Sequence, residues 1–137
     1  MPFIVGKPES LLYSGALVAV KLGAPEAVKS DAPPIDALAE INTSSIVTII
    51  QEGIATSLGL KSIGKLHVPI PLRPAYEADT YLLRIQFAEA HAIETRAIEV
   101  PYMLGHKVRV KCLIGRDVLK QAVFTYNGLA NTFSLKF

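Results

Sequence analysis

The feature that most constrains this chain lies between Ile35 and Ile50. Ile35, Ala37, Ala39 and Ile41 alternate with Asp36, Leu38 and Glu40, a period of two that suits a strand with one buried face. Asn42-Thr43-Ser44-Ser45 interrupts that pattern, and Ile46-Val47-Thr48-Ile49-Ile50 follows with mostly β-branched side chains, which fit a pleated surface. Short polar side chains that bond their own backbone make the interruption a turn. A polar turn held between two buried strands presents a few side chains on a rigid frame, as binding and catalytic loops require. Residues 42–45 are therefore expected at the centre of whatever this chain does.

Composition narrows the partners. The chain has 137 residues, half of them apolar and 19% charged, enough for a single domain with its own core and too apolar for disorder. A net charge of +2 does not argue for nucleic acid. The densest basic stretch alternates Lys107, Arg109 and Lys111 with Val108 and Val110, the pattern of a strand's solvated face rather than a phosphate-binding stripe. Cys112 is the sole cysteine, so no intrachain disulfide forms, and its apolar neighbours mark it as a small buried hydrophobe. His67, His91 and His106 lie too far apart to suggest a metal site, and no cofactor motif is present. The amino terminus lacks the basic start and long apolar core of a signal peptide, and Leu11–Val20 is too short to span a bilayer. The expectation is a cytoplasmic protein that engages neither nucleic acid nor membrane.

Along the chain, residues 1–10 read as an irregular arm and residues 11–137 as one domain. Strand character runs from Leu12 to Leu22, and Pro25–Lys29 suits one helical turn. Ser30–Pro34 is a loop, because consecutive prolines exclude helix and central strand. Gln51–Leu60 predicts a short helix closed by Gly59. Lys61–Ile70 and Ala78–Phe87 predict a hairpin around a proline-bounded tip, Pro71-Leu72-Arg73-Pro74-Ala75-Tyr76-Glu77. Further strands are expected at Ile93–Val100 and His106–Lys111. Asn127-Gly128 predicts a final hairpin pairing Val123–Tyr126 with Thr132–Phe137.

Ile41-Asn42-Thr43-Ser44 resembles the active-site motif of the retropepsin-like aspartic peptidases, in which a strand delivers Asp-Thr/Ser-Gly-Ala/Ser before a β-branched run. A second segment, Leu113-Ile114-Gly115-Arg116-Asp117-Val118-Leu119, resembles that family's apolar pair, glycine, polar pair and apolar pair. Phe124-Thr125-Tyr126-Asn127-Gly128 and Phe133-Ser134-Leu135 resemble the strand, turn and strand with which bacterial members continue. The resemblance covers about Leu12 to Phe137. It implies an all-β, retropepsin-like closed barrel (the acid protease fold) with one or two short helices, assembled as a homodimer.

What the resemblance implies about chemistry turns on Asn42. The family's active site needs one Asp from each subunit, two carboxylates sharing a proton, one of which takes a proton from the attacking water. Asn42, Thr43 and Ser44 occupy the motif positions, and an amide offers an acceptor and two donors but no usable base. Loss of a general base costs about 10²–10⁴-fold or more. Ser44 replaces a turn glycine, so its dihedrals are expected to differ, and Ile46 replaces a small or polar residue. Asp117 reads as a helix N-cap or a partner of Arg116. By the resemblance, Pro71, Leu72, Arg73, Pro74, Ala75 and Tyr76 form the tip of a flap, stiff for want of glycine, and Ile114, Gly115, Arg116 and Asp117 complete the substrate side. The favoured expectation is a non-catalytic peptidase-like protein that binds an extended peptide or protein segment. The alternatives are an active endopeptidase with a relocated carboxylate (Asp36, Glu40 or Asp117) and a purely structural dimer.

Overall fold

The computed structural model describes residues 3–6, 11–68, 76–88, 91–101 and 110–137. Ten strands carry the described chain: β1 (Phe3–Gly6), β2 (Leu17–Gly23), β3 (Ile35–Ile41), β4 (Thr48–Gln51), β5 (Gly64–Val68), β6 (Tyr76–Phe87), β7 (His91–Val100), β8 (Val110–Ile114), β9 (Val123–Asn127) and β10 (Thr132–Lys136). Three helices of four residues each join them: α1 (Leu11–Ser14), α2 (Ile54–Ser57) and α3 (Arg116–Leu119).

Six strands close a barrel in the order β2-β3-β8-β4-β7-β6, because β6 also pairs with β2. β5 extends from β6 as the outer arm of a hairpin. Closure follows from patterning. Val18, Val20 and Leu22 on β2, Leu83, Ile85 and Phe87 on β6, and Cys112 and Ile114 on β8 recur at every second residue and bury one face. Full closure also removes the exposed edges that an open sheet of this length would present. A separate antiparallel sheet, β1-β10-β9, sends Phe133 and Leu135 into the same core.

Several sequence expectations change in the folded chain. The amino-terminal arm is not wholly irregular, since Phe3–Gly6 pairs antiparallel with Phe133–Lys136. The strand expected from Leu12 begins only at Leu17, because α1 intervenes and Gly15 (φ 73°) ends it with its N–H on the Leu11 carbonyl. Docking decides that segment: Leu11 is buried and its N–H donates to Asn131 Oδ1 at 2.8 Å. Pro25–Lys29 makes a turn closed by Val28 N–H on the Pro25 carbonyl, with no helix. The terminal hairpin forms as expected, and Asn127 also pairs with Thr132, which leaves a loop of residues 128–131. Asn127 Oδ1 accepts the Ala130 N–H, and Asn131 takes the left-handed conformation expected of a glycine. Of the strand expected at His106–Lys111, residues 106–109 lie outside the described residues.

Cys112 is fully buried on β8. Burial pushes its thiol well above the usual range, and the charge of Asp117 adds to the shift. Because the thiolate is the nucleophile, Cys112 is expected to resist a disulfide reagent at pH 8 in the native protein and react stoichiometrically in denaturant. Comparable labelling rates in the two states would contradict this placement. Among the described residues, no helix is long and apolar enough to cross a membrane.

Candidate functional site

β3 delivers the Asn42 loop to one end of the barrel, and three backbone hydrogen bonds fasten it there. β3 and β8 run parallel with Ile41 beside Ile114. Asn42 N–H donates to the Ile114 carbonyl at 2.9 Å, Arg116 N–H to the Ser45 carbonyl at 2.8 Å, and Asp117 N–H to the Ile46 carbonyl at 3.1 Å. The two segments singled out in the sequence are therefore one structural unit. Gly115 makes the approach possible: a Cβ there would run into the Val47 carbonyl group. Its own backbone is extended (φ −91°, ψ −178°), so the glycine serves space rather than an unusual dihedral.

Asp117 does not behave as expected. It neither caps α3 nor pairs with Arg116; α3 has no side-chain cap. Its Oδ1 accepts the Thr48 hydroxyl at 2.9 Å and its Oδ2 the Thr95 hydroxyl at 2.6 Å. Thr48, fully buried, in turn accepts the Gly115 N–H at 3.1 Å. The chain Gly115–Thr48–Asp117–Thr95 thus ties β4, β7 and α3 together directly under the loop. Thr48 and Thr95 escaped sequence reasoning, because a threonine inside a strand carries no local sign that it faces a distant carboxylate.

In the loop itself, Asn42 Oδ1 accepts both the Ser44 N–H, at 3.1 Å, and the Ser44 hydroxyl, at 2.8 Å. Two donors on one atom identify the oxygen of an amide whose two ends look alike in outline. The Asn42 NH₂ group has no partner among the described residues. Ser44 needs no left-handed backbone, since Ala88 and Asn131 are the only non-glycine residues with positive φ among those described. The serine is accommodated in an ordinary turn and supplies a hydroxyl that glycine lacks. Thr43, Ser44 and Ile46 are exposed, Ile46 by 71%.

Of the other residues singled out, Ile114 is fully buried in the core and Gly115 lies beneath Val47, while Arg116 is exposed and Asp117 half-buried. Arg116 forms no ion pair among the described residues. The expected tip residues Pro71, Leu72, Arg73, Pro74 and Ala75 lie outside the described residues, and Tyr76 opens β6 opposite Val68. The hairpin's lower part is described. There, hydrogen bonds from Lys65 and then Ser62 hold the Asp79 carboxyl below its usual range. A row of facing residues, Leu113, Ile49, Ile98 and Thr80, crosses β8, β4, β7 and β6 from the loop toward that hairpin. No cluster of three or more metal-ligating side chains occurs among the described residues.

A closed barrel, a polar loop clamped on a strand–glycine–helix junction and a hairpin reaching from the barrel define the retropepsin-like fold, and this chain has it. Its structure is similar to the crystal structure of a retropepsin-like aspartic protease from Rickettsia conorii, with a TM-score of 0.54 over 99% of this chain and 94% of that one, at 11% identity. The retroviral protease-like domain of Ddi1 from Leishmania major also matches, at a TM-score of 0.48 and 11% identity over 81% of each chain. No known sequence family and no curated protein matches the sequence.

Proposed function

We propose that this protein is a catalytically silent member of the retropepsin-like fold that dimerises and binds an extended peptide between its Asn42 loops and its β5–β6 hairpin. The observation that carries this reading is the state of the side chains at the loop. Asn42 stands where the fold's peptidases carry Asp, and an amide takes no proton from water at neutral pH. Asp117, the carboxylate nearest in the network, has both oxygens occupied by threonine hydroxyls and faces the barrel wall. Asp36 is committed to an ion pair with Lys21 at 2.8 Å on the outside of the barrel. Two of the three carboxylates weighed as a relocated base, Asp36 and Asp117, are thus occupied elsewhere.

Dimerisation is supported by apolar side chains left uncovered around the loop. Leu12 and Tyr13 on α1 are 78% and 80% exposed, and Leu129 is fully exposed. α1 stands between the terminal hairpin and the loop: Leu11 N–H bonds Asn131, and the Ala16 carbonyl accepts the Ile41 N–H at 2.9 Å. Large exposed apolar groups on a small domain mark interaction surfaces.

The purified protein is expected to behave as a dimer in light scattering and to leave a mixed-sequence peptide library uncut over pH 3–8. Cleavage that disappears in Asn42→Ala, while the melting temperature is unchanged, would overturn the non-catalytic reading. A monomer at tens of micromolar would overturn the dimer.

A further inference from the structure

We infer that the Asn42 loops form a donor site for a carboxylate group carried by the bound peptide; this rests on the dimer and the peptide binding proposed above. The orientation of the Asn42 amide is the basis. Ser44 consumes its oxygen twice over, through the backbone N–H and the hydroxyl, and leaves only the NH₂ group without a partner among the described residues. In a peptidase of this fold the same place holds a carboxylate pair that shares a proton and both donates and accepts. Here the amide nitrogen can only donate.

Two-fold symmetry sets the shape of the ligand group. A dimer axis passing between the loops presents two NH₂ groups related by that axis. A carboxylate has the matching symmetry, with two equivalent oxygens and lone pairs for several donors. A neutral carbonyl offers one oxygen and forms weaker bonds, since a hydrogen bond to an ionised acceptor is roughly twice as strong.

The surroundings favour an anion as well. Arg116 is exposed, follows the glycine that seats the loop, and bonds the loop through its N–H on Ser45. Its guanidinium has no ion pair among the described residues. The one carboxylate in the network beneath the loop, Asp117, is turned inward onto Thr48 and Thr95. Thr43, Ser44 and Ser45 add no charge. The carboxylate has two sources, a peptide's own carboxyl terminus or the side chain of Asp or Glu, and both present the same group to the two amides.

Three pools of N-acetylated hexapeptides separate these sources when binding to the full-length protein is read by calorimetry. One pool ends in a free carboxylate and contains no acidic residue; one is C-amidated and acid-free; one is C-amidated with glutamate at each position in turn. The free-carboxylate pool, the glutamate pool or both are expected to bind about tenfold more tightly than the neutral pool, the gain of a charge-assisted bond over a neutral one. Asn42→Asp should erase that preference. The substituted side chain keeps the acceptor that Ser44 needs but replaces the NH₂ donors with negative charge. Arg116→Ala should reduce the preference without abolishing it. A preference confined to the first pool assigns the site to a carboxyl terminus, and one confined to the third assigns it to a side chain. Equal binding of all three pools, unchanged in Asn42→Asp, overturns the carboxylate site and leaves peptide binding standing. Failure of every pool to bind overturns the peptide reading and this inference together.

Discussion

Gly115→Ala is expected to destabilise the protein by about 3 kcal/mol, at the upper end of what a single added methyl costs in a packed site. The reason is a collision with backbone. The Val47 carbonyl occupies the space that a Cβ at position 115 requires, and Val47 belongs to the loop that the Ile114, Arg116 and Asp117 backbones hold in place. A flexible side chain could swing aside; a carbonyl between a tethered loop and β4 cannot. Relief requires the loop to lift, which stretches the Arg116–Ser45 and Asp117–Ile46 bonds. The urea midpoint should fall by about 1–2 M with no change in slope. Gly53→Ala provides the contrast. Gly53 has φ 94° but nothing within reach of an added Cβ, so only left-handed strain of about 1 kcal/mol applies. If the two variants lost the same stability, the close approach would not be what constrains position 115.

Asp117→Ala should cost a similar amount, about 3 kcal/mol, by a different route. Hydrogen bonds to a charged acceptor contribute about 1.5–3 kcal/mol each, and stranding a buried partner adds its desolvation. Removal of the carboxylate leaves the hydroxyls of Thr48, fully buried, and Thr95 without their acceptor. Thr48 also accepts the Gly115 N–H, so the disturbance reaches the glycine that seats the loop. Asp117→Asn should cost about half as much, since an amide still accepts one hydroxyl and can donate toward the other oxygen. Arg116→Ala, one residue earlier on the same helix, should be close to neutral for stability because the side chain is exposed and makes no ion pair among the described residues. Thermal melts of the three variants test this directly. A loss below about 1 kcal/mol for Asp117→Ala would show that the threonine hydroxyls find other partners.

Both predictions concern residues whose importance the sequence signalled while concealing the reason. Gly115 belonged to a recognisable apolar pair, glycine and polar pair, which says nothing of what lies against the glycine. The actual constraint comes from Val47, which is 68 positions earlier in the chain. Asp117 two residues on looked like a cap, because local side-chain-to-backbone bonding is the default for an acid at a helix start. Its partners are threonines on β4 and β7, and only the pairing of β4 with β8 and β7 brings those strands beside α3. The amino-terminal run shows the same limit in another form. Leu11–Ser14 has strand propensity, but one turn of helix docks Leu11 and satisfies its N–H on Asn131, a residue 120 positions away.

What the sequence by itself determined is everything carried by local period and local turn chemistry. The alternation in β2, β3 and β6 specified which faces are buried, because a one-residue shift would turn every apolar side chain to solvent. The Gly59 stop after α2, the hairpin between β9 and β10, and the polar turn at Asn42 were likewise written in neighbouring residues. So was the missing acid at Asn42, which depends on one side chain's chemistry and on no contact. The tertiary structure alone decided what lies against Gly115 and where Asp117 spends its charge. Each of these is a contact between segments far apart in the chain, made where β4 pairs with β7 and β8, and no local pattern encodes such a meeting.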